Sequence, residues 1–245
     1  MLRDFHTHTI YSDGGNTPEE MVLAAIDRGL ECIGFSDHSY TFFDESYCMK
    51  LEAIPEYIAE IAGLKEKYID KIEVLCGIEQ DLYSDCSVDC YDYHIVSMHY
   101  IYADGEYLPV DESAEKQISM VEGHFGGDWY AAAEAYFGQL SNAKGADIIG
   151  HFDLFCKFNE KGRFFDENNP RYVAAWQKAV DKLLENNDLF EINTGAIARG
   201  YKTVPYPSAS MVEYISRKGG KFILSSDSHS TETLAFEFEK YIDIL

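Results

Sequence analysis

Three pairs of polar residues, each with one residue between its members, carry the first chemistry in this sequence: His6-Thr7-His8, His151-Phe152-Asp153 and Asp227-Ser228-His229. On an extended strand, residues i and i+2 point to the same face, so each pair can aim both side chains at one point. Imidazole nitrogens and carboxylate oxygens converging in this way are what a divalent metal ion takes as ligands. His38 and His99 add two more imidazoles, and Asp13, Asp37 and Glu79 stand near them in sequence. Glu79 follows Gly77-Ile78, where a carboxylate can bridge two ions. His94 and His124 are assigned no role: the first falls on the opposite strand face from His99, the second near a helix end. Other chemistries lack their signatures. There is no GxxxxGK[ST] or GxGxxG for nucleotide binding and no GxSxG for a serine hydrolase.

The elements that must position these residues alternate. Short apolar runs at Leu2 to His6, Cys32 to Ser36, Ile72 to Ile78, Tyr93 to Met98, Asp147 to Gly150, Leu189 to Asn193 and Phe222 to Ser225 read as strands. Segments of helical period lie between most of them. Thr17-Pro18-Glu19-Glu20 supplies a helix start, and Leu51, Ile54, Ile58, Ile61 and Leu64 form an apolar face. Further helices are expected at Ser113 to Glu122, Trp129 to Ala143, Arg171 to Asn186, Ser208 to Lys218 and from Thr231 onward. Strand–helix alternation implies a parallel sheet, open or closed into a barrel, in a single domain over 1–245. Six of the eight histidines fall at or just past the C-terminal end of a strand. Parallel folds gather their chemistry at that end, because the loops there share one mouth.

Composition narrows the partners. The 245 residues include 43 Asp and Glu against 20 Lys and Arg, a formal charge of −23. Such an excess argues against nucleic acid and anionic membranes, both of which call for basic surfaces. No apolar run approaches a membrane span, and the first residues do not read as a secretion signal, so a cytoplasmic protein is expected. The six cysteines show no CxxC spacing and read as free thiols.

His6-Thr7-His8-Thr9 followed by Ser12-Asp13-Gly14 resembles the opening motif of the polymerase and histidinol phosphatase (PHP) superfamily. Ser36-Asp37-His38, Gly77-Ile78-Glu79, Ser97-Met98-His99, Ile149-Gly150-His151 and the Ser225 to His229 segment are similar to its later motifs, in order. Within that superfamily, Ile149 to Asp153, Ile192 to Gly195 and Arg199-Gly200 resemble the stand-alone histidinol-phosphate phosphatases. The resemblance implies a distorted (β/α)7 barrel with two or three divalent ions, zinc, iron or manganese. It implies that His6, His8, Glu79 and Asp227 hold one ion, that Glu79, His99 and His151 hold a second, and that Asp13, His38 and His229 hold a third.

The implied activity is hydrolysis of L-histidinol phosphate to L-histidinol and phosphate in histidine biosynthesis, with a hydroxide bridging two ions as nucleophile. Arg199, then Arg163, are the candidates to neutralise the phosphoryl oxygens, since a planar guanidinium suits that task better than lysine. Tyr40 is a candidate to meet the organic half of the substrate, and Phe42, Phe43, Phe164 and Phe165 are candidates for the rim. Asp153 or Asp37 is available to pair with the substrate amine, or to orient a ligand histidine from behind. The alternative substrate is a nucleotide or another small phosphate ester. An amidohydrolase would call for a bridging lysine where Glu79 stands, and a non-catalytic module has no need of the full ligand series. The sequence sets no oligomeric state.

Overall fold

The alternation resolves, in a computed structural model that describes residues 2–245, into a seven-stranded parallel sheet wrapped into a distorted (β/α)7 barrel. Its strands are β1 (Arg3–Asp4), β2 (Cys32–Phe35), β3 (Glu73–Asp81), β4 (Tyr93–Ser97), β7 (Ile148–Ile149), β8 (Leu189–Asn193) and β9 (Lys221–Ser225), hydrogen-bonded in that order. The two edges meet beyond the strand ends. His8 N donates to Ser228 O at 2.8 Å and Ser228 N donates to His6 O at 3.1 Å. Lower down, the buried Asp4 carboxylate accepts from Ser226 N, Ser226 Oγ and Ala235 N at 3.0, 2.5 and 2.9 Å. A side chain thus bonds the first strand to the last where no ladder forms.

Helices α1 (Pro18–Asp27), α2 (Ile54–Lys67), α3 (Ala114–Phe125), α4 (Trp129–Leu140), α5 (Pro170–Leu183) and α7 (Ala209–Arg217) cover the outside, while the single turn α6 (Gly195–Ala198) packs Gly195 against Arg199 and Asp227. The expected start of α1 forms a capping box, with Glu20 N donating to Thr17 Oγ1 and Thr17 N donating to Glu20 Oε2. Met21, Val22, Tyr57 and Ile61 pack α1 and α2 onto Ile33 and Phe35 of β2. Phe137, Tyr172 and Trp176 pack α4 and α5 against Ile149 and Phe190.

Inside the barrel, Leu75, Tyr93, Ile95, Ile148, Leu189 and Ile223 form an apolar layer. Tyr93 crosses this floor and donates its hydroxyl to Phe5 O and Phe35 O. Gly77 makes the crossing possible, because a Cβ there would stand 2.3 Å from the Tyr93 ring. Two residues further along β3, on the same face, Glu79 rises above that floor.

Several expectations are corrected. Residues from Thr231 onward form turns, with short 3-10 segments at Phe238–Lys240 and Ile242–Ile244. Ala235 and Glu237 take left-handed φ angles that interrupt a helix, and Leu234 and Phe238 are drawn into the core. An antiparallel hairpin, β5 (Tyr100–Ala103) with β6 (Glu106–Pro109), follows β4 unannounced. β3 runs on to Asp81, three residues past its expected end. Among the described residues, no helix is long and apolar enough to cross a membrane.

Candidate metal centre

Six of the seven barrel strands deliver polar residues to one bowl. His6 and His8 leave β1, His38 follows β2, Glu79 lies within β3, His99 follows β4, His151 follows β7, and Asp227 and His229 follow β9. Asp13 arrives on the loop after His8. That loop is folded around buried Asp37, whose oxygens accept from Thr9 N at 2.8 Å, Thr9 Oγ1 at 2.9 Å and Ser12 Oγ at 2.6 Å.

Glu79 is the hub. Its Oε2 lies 2.8 Å from His38 Nδ1, 3.4 Å from His6 Nε2 and 3.7 Å from His8 Nε2. Its Oε1 lies 2.9 Å from His151 Nε2 and 3.5 Å from His99 Nε2. Asp227 Oδ1 is 3.3 Å from His8 Nε2 and 3.7 Å from both His6 Nε2 and His229 Nδ1. Asp13 Oδ1 faces His229 Nε2 at 3.3 Å and His38 Nε2 at 3.6 Å. Four overlapping groups result, each with its donor atoms within 4.8 Å of one another: His6, His8 and Asp227; His6, Glu79 and His151; His38, Glu79 and His99; and His8, Asp13, His38 and His229. All nine residues anticipated as ligands converge. The grouping differs from the expected one in that His8 faces Asp13 and His38 shares Glu79.

The electrostatics of so many buried donors are uneven. Burial opposes the charge on Glu79, yet the surrounding imidazoles hold it well below the usual carboxylate range. Burial likewise opposes the charge on Asp227, while Arg199 and His6 keep it ionised. His8 is driven down to about 3 by burial and by neighbouring His229 and His38. His99 rises to about 9, because Glu79 and Asp81 outweigh its burial. His6 Nε2, both ring nitrogens of His8 and Glu79 Oε2 are buried without a well-directed hydrogen bond. Native proteins pair such atoms almost without exception, so orphans of mixed N and O type aimed at common points fit bound cations.

A cavity of about 700 Å3 opens over this cluster, lined by Asp13, His38, His99, His151, Asp227 and His229 at its base. Arg199 lines it too, with Nη2 donating to Asp227 Oδ2 at 2.7 Å and Nη1 to the Asp227 carbonyl at 2.9 Å. Residues 4–195 match the PHP domain family. The chain belongs to that family. A Deinococcus radiodurans relative named probable histidinol-phosphatase is 30% identical over 97% of this chain and 90% of its own. The HisK structure from Listeria monocytogenes superposes with a TM-score of 0.82 at 22% identity, covering 98% of this chain and 99% of that one. The Lactococcus lactis histidinol phosphate phosphatase complexed with zinc, L-histidinol and phosphate gives 0.72 at 20% identity, covering 99% and 92%.

Not every candidate reaches the mouth of this PHP barrel. Arg163 lies exposed, its guanidinium 4.8 Å above the Phe164 ring and outside the cavity. Tyr40 also lies outside it and donates to Glu45 Oε1, because the loop after His38 swings away and returns with Asp44, Ser46 and Tyr47 on the cavity wall. Asp153 is buried behind the site, accepting from Ser208 N at 3.2 Å. β7 ends at Ile149, so His151 and Asp153 stand on a turn, where the shared-face rule no longer holds. Asp153 is raised to about 7 by that burial. Asp37 is occupied by Thr9 and Ser12 of the loop after His8. Phe165 belongs to the core, Phe43 stacks on Tyr107, and Tyr47, Tyr100 and Tyr201 are the aromatic residues of the cavity wall.

The PHP site also holds carboxylates that motif spacing left out. Glu191 on β8 is fully buried, its Oε2 2.8 Å from His6 Nδ1 and its Oε1 accepting from His151 N at 2.5 Å and Asn193 Nδ2 at 2.8 Å. Asp81 on β3 stands 3.2 Å from His99 Nδ1. The signal for Glu191 is a lone charge in the strand Leu189–Asn193, flanked by Phe190 and Ile192. His94 and His124 pair with Asp147 and Asp104, away from the centre.

Proposed function

We propose that this chain is a metal-dependent phosphatase that hydrolyses L-histidinol phosphate to L-histidinol and phosphate, as a cytoplasmic enzyme of histidine biosynthesis. The observation that carries the reading is the set of orphaned, buried N and O atoms around Glu79 at the base of a cavity that also presents Arg199. The likeness to histidinol-phosphatases over nearly the whole chain supports the substrate. Two or three ions of zinc, iron or manganese fit the donor set, held by His6, His8, Glu79 and Asp227, by Glu79, His99 and His151, and by Asp13, His38 and His229. When bound, such ions supply Lewis acidity to phosphoryl oxygens and make water a stronger acid.

The protein's own contribution is arrangement. Glu191 accepts a hydrogen bond from His6 Nδ1–H and so leaves the Nε2 lone pair facing Glu79 and Asp227. Asp81 does the same for His99. Arg199 fixes Asp227 with two of its N–H groups and lines the cavity, where a guanidinium suits phosphoryl oxygens. Burial of His6, His8 and Glu79 keeps solvent from competing for the same donors.

The test is phosphate release from L-histidinol phosphate, beside nucleoside monophosphates and an aryl phosphate, with and without added manganese or zinc. A strong metal-dependent preference for histidinol phosphate is expected. Equal or better nucleotide turnover moves the substrate to a nucleotide, and inactivity of the metal-loaded protein toward all of them refutes the reading.

A further inference from the structure

The cavity is larger than a phosphate group, and its far wall differs in charge from its base. Lys157 and Asp111 face it as a pair, with Lys157 Nζ donating to Asp111 O at 2.8 Å and to Oδ2 at 3.1 Å, so their charges offset. Glu112 sits at the exposed rim, 3.8 Å from Lys116. Asp44 is different. Its Oδ1 accepts from Ser46 N at 3.0 Å and Ser46 Oγ at 2.6 Å, and its Oδ2 accepts from the Tyr100 hydroxyl at 2.8 Å. All three donors are neutral. Lys50, the cation nearest in sequence, is bonded to Glu45 at 2.9 Å instead. Among the described residues, Asp44 is therefore a half-buried carboxylate on the cavity wall, fixed in orientation and without an ion pair.

Its distance from the chemistry is set by rings. Tyr47 stands edge-on to His38 with centroids 4.9 Å apart and lies 6.3 Å from Tyr100, whose hydroxyl holds Asp44. A phosphate ester lying across Tyr47 with its phosphate over the histidines would bring the far end of its alcohol portion toward Asp44. The tyrosine faces along that path attract cations and tolerate aromatic groups. A neutral or anionic alcohol leaves the carboxylate without a counter-charge and loses the difference.

We propose that Asp44, set by Tyr100 and Ser46, is a specificity-determining residue that reads positive charge on the alcohol half of the substrate, so that the cavity selects phosphomonoesters of amino alcohols over neutral esters of the same size. This rests on the phosphatase reading and goes beyond it, since it assigns the selection to a residue outside the metal centre. Asp44 takes over the part that Asp153 and Asp37, both buried elsewhere, are placed too far back to play.

The test compares 4-aminobutyl phosphate with pentyl phosphate, close in size and different in charge, on the metal-loaded full chain. Both kcat/KM and the Kd from calorimetry are measured. The wild type is expected to favour the cationic ester by about tenfold or more, the worth of a charge-assisted hydrogen bond. Asp44→Asn should bring that ratio to within about twofold of unity, with Tyr100→Phe in between. Metal content and melting temperature are recorded for each variant. A wild-type ratio near one overturns the proposal, as does a ratio that survives Asp44→Asn in a folded, metal-loaded protein. Should Asp44→Asn not fold, the wild-type preference still decides, because it must weaken as salt is added. Inactivity toward L-histidinol phosphate with the charge preference intact refutes the substrate reading and supports the selection by Asp44. If neither ester is turned over, the two Kd values decide the charge preference, and the phosphatase reading is decided separately by L-histidinol phosphate.

Discussion

Replacing Glu191 with Gln is the substitution that separates a positioned metal centre from a mere cluster of histidines. The side chain keeps its shape, so no cavity opens. Its hydrogen-bonding pattern cannot be kept. One carboxylate oxygen faces His6 Nδ1, and the other accepts from His151 N and Asn193 Nδ2. Glutamine offers one oxygen and one NH2 group. With the NH2 toward His6, that ring must move its proton to Nε2, the atom 3.4 Å from Glu79 and 3.7 Å from Asp227, where an ion would need a lone pair. With the NH2 turned the other way, it meets two donors. The first orientation puts a proton where an ion needs a lone pair, and the second leaves a buried donor facing two donors, at a cost of about 1–3 kcal/mol.

The same figure follows from metal sites in general, where losing an outer carboxylate behind a ligand histidine weakens binding by roughly 10- to 100-fold. The expected result is therefore a drop of that size in zinc or manganese affinity, read by competition with a chromophoric chelator. The melting temperature of the metal-free protein is the control. If it falls as far as that of the loaded protein, the loss belongs to the fold and not to the tautomer of His6. Wild-type affinity in Glu191→Gln would refute the reasoning.

Other expectations are simpler to state. His99→Ala removes a donor that faces Glu79 and should lower metal content and turnover together; full turnover at normal metal content would remove His99 from the ligand set. Arg199→Ala should weaken inhibition by phosphate about tenfold, the worth of a charge-assisted hydrogen bond, and should also loosen the ion at Asp227, because the guanidinium holds that carboxylate at 2.7 Å. Unchanged phosphate inhibition would show that Arg199 does not face the substrate. Gly77→Ala places a methyl 2.3 Å from the Tyr93 ring and 2.8 Å from the Phe35 carbonyl, and an overpacked core of this kind loses about 1–3 kcal/mol, read as a lower urea midpoint.

The barrel was legible where hydrophobic period and chain punctuation agree. All seven barrel strands stand where the apolar runs place them, and α1 begins at the Thr17-Pro18 signal. The rest depends on tertiary partners that no local window contains. The segment from Thr231 carries helical composition, yet Asp4, more than two hundred residues away in sequence, binds Ala235 N and helps turn the chain there. The β5–β6 hairpin turns on Asp104 and Gly105, both with positive φ, an Asp-Gly turn signal carried by the sequence itself.

The candidate site divides along a different line. Its nine expected ligands carry their own signal, because histidines and acids crowd the ends of strands where a core would otherwise be apolar. The residues that orient them needed the sheet register as well. Counting by twos from a ligand that lies within its strand finds Asp81, which follows Glu79 on one face of β3, whereas β8 carries no ligand and Glu191 is marked there only by its charge. The same count fails at His151 and Asp153, because β7 has ended and the chain has entered a turn. Spacing therefore identifies partners only as far as the strand extends, and β3, running to Asp81, carries the rule further than its apolar residues alone suggest. The substrate wall obeys no such rule. Asp44 and Tyr47 come from a loop after β2, Tyr100 from the hairpin after β4 and Lys157 from the turn after His151, so their meeting is a property of the closed barrel that one loop read alone does not contain.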